Sequence, residues 1–202
     1  MVSGWRNPAG TGGPTVVGVA SPVMSEAPEL TPEAFEILAV RELRKVGLEV
    51  SPLRIHRRAT LDDAAPAYLL ELLGVVSRRD WRSRVLIACR HQRLPIGRAD
   101  VETFQGHLQE AGVESGILFG TASFDPDALL VAEAGRIALL RVTDGRTAFD
   151  TSGWGTPGHY PAWLPAYCAQ TVGRDALGQP RYDLIETGQG DRLVRQLDTG
   201  RP

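Results

Sequence analysis

The stretch Arg84-Val-Leu-Ile-Ala-Cys-Arg-His-Gln-Arg-Leu-Pro-Ile-Gly97, with the residues that follow it, limits the fold more than any other part of the chain. Val85–Cys89 is an unbroken apolar run, which suits a strand covered on both faces. A basic loop carrying Pro95 and Gly97 ends it. Val101, Phe104, Leu108 and Ala111 then recur every three or four residues until Gly112, the stripe of an amphipathic helix that a glycine stops. Gly116–Thr121 follows as a second short buried strand.

The flanking segments extend this unit into a sheet protein. Thr31 can cap a first helix, Pro32 suits its first turn, and Phe35, Leu38, Ala39, Leu43 and Val46 share one face. Lys45 favours its C-terminal end and Gly47 can stop it. Leu48–Ile55 reads as an edge strand interrupted by Pro52. Ala67–Val76 is another nearly unbroken apolar run, holding one charge, Glu71. Asp125-Pro126 starts a helix that runs to Gly135, and Arg136–Val142 closes the core. Before this core, residues 1–30 are rich in Gly, Pro and Ser and lack periodicity, the signature of a disordered lead. Beyond Thr143, Gly153–Gly173 reads as an aromatic, Gly- and Pro-rich loop, and Tyr182–Glu186 with Arg192–Leu197 as a hairpin.

Composition excludes several classes. The formal net charge of −2 gives no global attraction to nucleic acid or membrane. Charge is nevertheless uneven: Arg78, Arg79, Arg82, Arg84, Arg90, Arg93 and Arg98 face the single acid Asp80, a cluster able to neutralise phosphates. In a chain whose only lysine is Lys45, the same cluster also suits an ordinary solvated face. Cys89 and Cys168 have no metal-ligand spacing, so neither a zinc site nor a disulfide framework is expected. No apolar run approaches the ~20 residues of a membrane span, and no basic-flanked leader is recognisable, so a cytoplasmic protein is expected.

The order α-β-β-β-α-β-α-β, with these loop contents, resembles the restriction-endonuclease-like fold and, within it, the Mrr-type (type IV restriction) domain. Phe35-Glu36 leads to Leu43 and Gly47. Leu86-Ile-Ala-Cys-Arg-His91 is joined to Pro95-Ile-Gly97. Val101-Glu-Thr-Phe-Gln-Gly106 precedes Gly112 and Gly116-Ile-Leu-Phe119. Thr121-Ala-Ser-Phe124 is followed by Asp127-Ala128, Ala132 and Ile137-Ala-Leu-Leu140. The resemblance implies an α/β domain over 31–143, a mixed β-sheet core flanked by helices, followed by a C-terminal extension over 144–202.

It also implies a site. In this family an acid on the second strand and an E-x-K or Q-x-K on the third bind a divalent metal and orient the attacking water. Magnesium favours hard oxygen ligands, and the metal lowers the pKa of a bound water. Glu71 is the natural first acid, because a carboxylate among leucines needs a partner or a metal, although it also suits a solvated strand end or a pairing with one of the many arginines; Asp62 and Asp63 are alternatives, and Glu36 can contribute from the first helix or stand as an exposed helix charge. The second motif departs from the pattern. Ala88 has no oxygen to offer, and Arg90 stays protonated at any working pH. Relocation of the missing acid to Glu102, with Gln105 a weaker donor, would restore a Mg site; Glu102 lies only about 100° round the helix from Val101.

DNA contacts are expected from Arg93, Arg98 and His91, and from Thr121 and Ser123 at a strand end, where hydroxyls and amides can hold phosphate but also serve as ordinary caps. The tail aromatics can stack on bases or simply cover the core. The leading expectation is a protein that binds double-stranded DNA, as a monomer or a homodimer, with cleavage impaired. The alternatives are an active Mg-dependent endonuclease using Glu71 with Glu102, and a protein-interaction module that has abandoned DNA.

Overall fold

The computed structural model describes residues 29–61 and 67–198. The lead expected over 1–30 therefore lies outside the described residues up to position 28, as do Asp62 and Asp63. The elements are α1 (Pro32–Lys45), β1 (Glu49–Thr60), β2 (Tyr68–Arg78), β3 (Trp81–His91), α2 (Arg98–Ala111), β4 (Ser115–Gly120), α3 (Pro126–Ala134), β5 (Ile137–Asp144), α4 (Gly145–Ser152), β6 (Tyr167–Arg174), β7 (Pro180–Leu184) and α5 (Gly190–Asp198).

All the strands form one seven-stranded sheet in the order β1 to β7. β3–β4 and β4–β5 are parallel, because α2 and α3 carry the chain back across the sheet; every other pair is antiparallel. The family-like order of the core holds from α1 to β5.

Alternation explains the two apolar runs. Leu70, Leu72 and Val76 of β2 and Val85, Ile87 and Cys89 of β3 pack with Phe35, Leu38 and Leu43 of α1 and with Leu193 and Leu197 of α5. Leu69 and Leu73 of β2 and Leu86 and Ala88 of β3 pack on the other face, with Val101, Phe104 and Leu108 of α2 and Leu129 of α3. Both faces are covered along these runs, so neither run alternates in polarity.

The C-terminal part departs from the sequence reading. β6 and β7 form the hairpin, pairing Gln170 with Leu184 through Arg174 with Pro180, so the strand Tyr167–Arg174 emerges from what read as loop. The segment Arg192–Leu197 belongs to helix α5, not to a strand. Leu193 and Leu197 are four residues apart and both buried, which is helical spacing. The sheet thus continues past residue 143, with α4 leading into the added strands. In that region Phe149 meets Trp154 and Tyr160 edge-on, and Trp154 lies against Trp163. Among the described residues, no helix is long and apolar enough to cross a membrane. Cys89 and Cys168 are free, buried thiols. Burial pushes the Cys168 thiol up to about 11; burial first, and then the charge of Glu36, also pushes the Cys89 thiol up.

Candidate functional site

β2 and β3 pair so that Glu71 stands directly opposite Ala88, and Leu69 opposite Arg90. Opposed residues share a face, and so do residues two apart on a strand. Glu71, Ala88 and Arg90 therefore all project toward α2. To this extent the structure brings together the positions that the family pattern uses.

Glu71 is fully buried, and its charge is met inside the protein. His107 of α2 places Nδ1 2.6 Å from Oε1. The carboxylate can only accept, so it selects the imidazole form with hydrogen on Nδ1. Arg57 of β1, opposite Glu71 in the β1–β2 register, brings Nε to 3.2 Å from Oε2. The same guanidinium holds Glu110 of α2 at 2.5 Å. A carboxylate, an imidazole, a guanidinium and a second carboxylate thus link the edge strand, the central strand and the helix. Burying Glu71 as an ion requires such partners.

Arg90 is committed in the same way. Its Nη2 lies 2.6 Å from Asp100 of α2, and its Nε donates to the side-chain oxygen of Gln92. Asp100 also accepts from the backbone N–H of Gly97 at 2.9 Å, closing the first turn of α2. The acid beside Arg90 is therefore Asp100. Glu102 turns outward and pairs with Arg98 at 2.7 Å, and Gln105 lies against Gly135 at the end of α3.

The remaining candidates are dispersed. α1 packs on the face opposite Glu71, so Glu36 does not join it; the field of Glu36 is felt by Cys89 on that other face. His91 is buried there too, stacked on Tyr68 with ring centroids 5.0 Å apart and planes 6° from parallel. The Thr121 hydroxyl donates to the Gln92 carbonyl at 2.9 Å and accepts from its N–H at 3.1 Å. The Ser123 carbonyl accepts from Ile96 N–H at 2.8 Å. These two residues fasten the basic loop to the start of α3. Arg93 and Arg98 are exposed on that loop and at the helix start.

The arginine cluster also divides. Arg78, Arg79, Arg82 and Arg84 sit at the β2–β3 turn, and Arg90, Arg93 and Arg98 at the other end of β3. Arg78 is structural: it reaches Asp191 of α5 at 2.7 Å and donates to the carbonyls of Val46, Gly47 and Gly188.

The residues do not fit a divalent metal. Glu71 Oε1 meets His107, Oε2 stands 3.2 Å from the Arg57 cation without a hydrogen bond, Ala88 supplies no ligand, and among the described residues no group of three potential ligands converges. Sequence reasoning missed His107, Arg57 and Asp100. His107 was within reach, since it falls between Phe104 and Leu108 on the buried stripe of α2. Asp100, three residues after Gly97, carried a capping signal. Arg57 gave none, because cross-strand register is not written in local sequence.

No curated protein matches the chain. Residues 27–146, more than half of its length, match the family model Mrr_cat, described as restriction endonuclease, and the chain belongs to that family.

Proposed function

We propose that the chain is a DNA-binding, restriction-endonuclease-like protein of the cytoplasm in which metal-dependent cleavage is lost or severely weakened. One observation carries this reading. The carboxylate at the first-acid position is engaged by His107 and by the Arg57 cation, opposite an alanine whose side chain has no oxygen. A metal would have to displace a guanidinium and an imidazole and would still lack its second acid. Retention of duplex binding is supported by the family, and by exposed Arg93 and Arg98 on the loop beyond β3.

The test is incubation of supercoiled and linear DNA with the full chain in Mg²⁺ or Mn²⁺, beside a gel-shift at low salt. Binding without cutting is expected. Robust cleavage that disappears in Glu71→Ala overturns the loss of activity, and absence of any salt-sensitive binding overturns the DNA reading.

A further inference from the structure

Most arginines of this chain answer to an acid: Arg78 to Asp191, Arg90 to Asp100, Arg136 to Glu114 and Arg192 to Asp183. Arg54, Arg82 and Arg84 do not. Their guanidinium groups are exposed and, among the described residues, make no hydrogen bond, ion pair or ring contact.

These three side chains lie on one surface. Arg82 and Arg84 alternate along β3 with Leu86 and Ala88, which pack toward α2. Arg54 of β1 stands opposite Leu73 of β2, which packs into the same core. The arginines therefore project from the α2 side of the sheet, beyond the part of it that α2 covers. Val75, paired with Arg84, is only partly covered. Between the strands lies a shallow hollow of about 360 Å³ lined by Leu53, Arg54, Leu73, Gly74, Val75 and Arg84. Arg82 also lines a polar hollow with Glu114, Arg136 and Asp198, where Glu114 is held by Arg136; Glu110 is held by Arg57.

Arg82 and Arg84 are two residues apart on one strand, about 6.8 Å by strand rise. This is comparable to the separation of successive phosphates along a nucleic-acid strand. A guanidinium fork also matches phosphate geometry in a way that an ammonium does not. The floor is apolar but open and shallow, without a deep pocket for the anchoring side chain of a protein partner.

We infer that this strand face, formed by Arg54, Arg82 and Arg84, binds the phosphodiester backbone of duplex DNA. It adjoins the Glu71 cluster through Arg57 and is separate from the Arg93–Arg98 loop at the far end of β3. The inference rests on the DNA-binding reading and adds to it the surface that makes the contact.

The experiment is a salt titration of the affinity for a labelled duplex about two helical turns long, followed by fluorescence anisotropy. It uses the full chain, R54Q/R82Q/R84Q, R54K/R82K/R84K and R93Q/R98Q. Each phosphate contact contributes about 0.9 to the slope of log K against log salt. The glutamine triple is expected to lower that slope by about 2.7, with an unchanged thermal midpoint. The lysine triple keeps the charge and is expected to keep the slope. If the wild type binds and the glutamine triple binds with the same slope, this surface is wrong and the DNA reading stands. If the wild type shows no salt-dependent DNA binding, or prefers polyglutamate, the DNA reading and this surface both fall.

Discussion

The Glu71 carboxylate and the His107 imidazole meet at 2.6 Å beneath α2, at a sheet position opposite Ala88. Arg57 closes the same carboxylate from the edge strand. The charge that would attract a metal is already met by the Arg57 guanidinium and by the His107 N–H.

Removing that carboxylate leaves the Arg57 cation and the His107 N–H without their acceptor. Glu71→Ala is expected to cost about 3 kcal/mol, toward the lower end for a broken buried pair because Arg57 is partly exposed and keeps Glu110. Glu71→Gln should cost less, since shape and one acceptor remain. The pair Glu71→Leu with His107→Leu should recover part of the loss, because only Arg57 then loses a partner and it keeps Glu110. Urea midpoints at constant m decide this; an alanine variant as stable as the wild type would show that the network contributes nothing.

Ala88→Glu puts a second carboxylate opposite the first, with Cβ atoms about 4.5–5.5 Å apart. Like charges in a buried site repel, and protonation relieves them. The variant should be destabilised at pH 7 and less so near pH 5. Mn²⁺ should raise its thermal midpoint while leaving that of the wild type unchanged. Scanning calorimetry with and without Mn²⁺ reads both effects.

Asp191 anchors α5 to the β2–β3 turn. The hydrogen bond from Arg78 holds its carboxyl below the usual carboxylate range. A depressed folded-state pKa gives stability that is present above the unfolded value and is lost as pH falls through the folded one. Asp191→Asn should therefore be less stable than the wild type at neutral pH, and the gap should close at acid pH below the ordinary carboxylate range. Paired urea titrations from pH 7 downward measure the gap; one that widens on acidification would refute the assignment.

Two glycines should respond oppositely to alanine. A Cβ at Gly145 would lie 1.8 Å from the Pro165 carbonyl oxygen, at the point where the Gly145 N–H donates to Ala166. Backbone cannot move aside cheaply, so Gly145→Ala should cost about 2–3 kcal/mol. Gly106, inside α2, has open space around its Cβ position. There alanine should stabilise by about 0.5–1 kcal/mol through helix propensity. Thermal midpoints moving in opposite directions verify the pair.

Much of the core was legible in local pattern. Long apolar runs, broken in β2 by Glu71 alone, identified β2 and β3 as strands covered on both faces, and the spacing of Val101, Phe104 and Leu108 identified α2. The C-terminal region was less legible. Leu193 and Leu197 fit a helix, but so short a segment beside a glycine-rich turn also fits a strand, and only burial against the α1 side of the sheet selects the helix.

Sequence alone singled out Glu71 as a carboxylate within a run of leucines, which needs a partner wherever water does not reach it. It also determined that Ala88 cannot ligate a metal, whatever surrounds it. Which cations answer Glu71, and which arginines remain unpaired, was decided by tertiary structure. Those outcomes depend on the β1–β2 and β2–β3 registers and on the side of the sheet where α2 lies. A shift of one residue in pairing would carry each of these side chains to the opposite face.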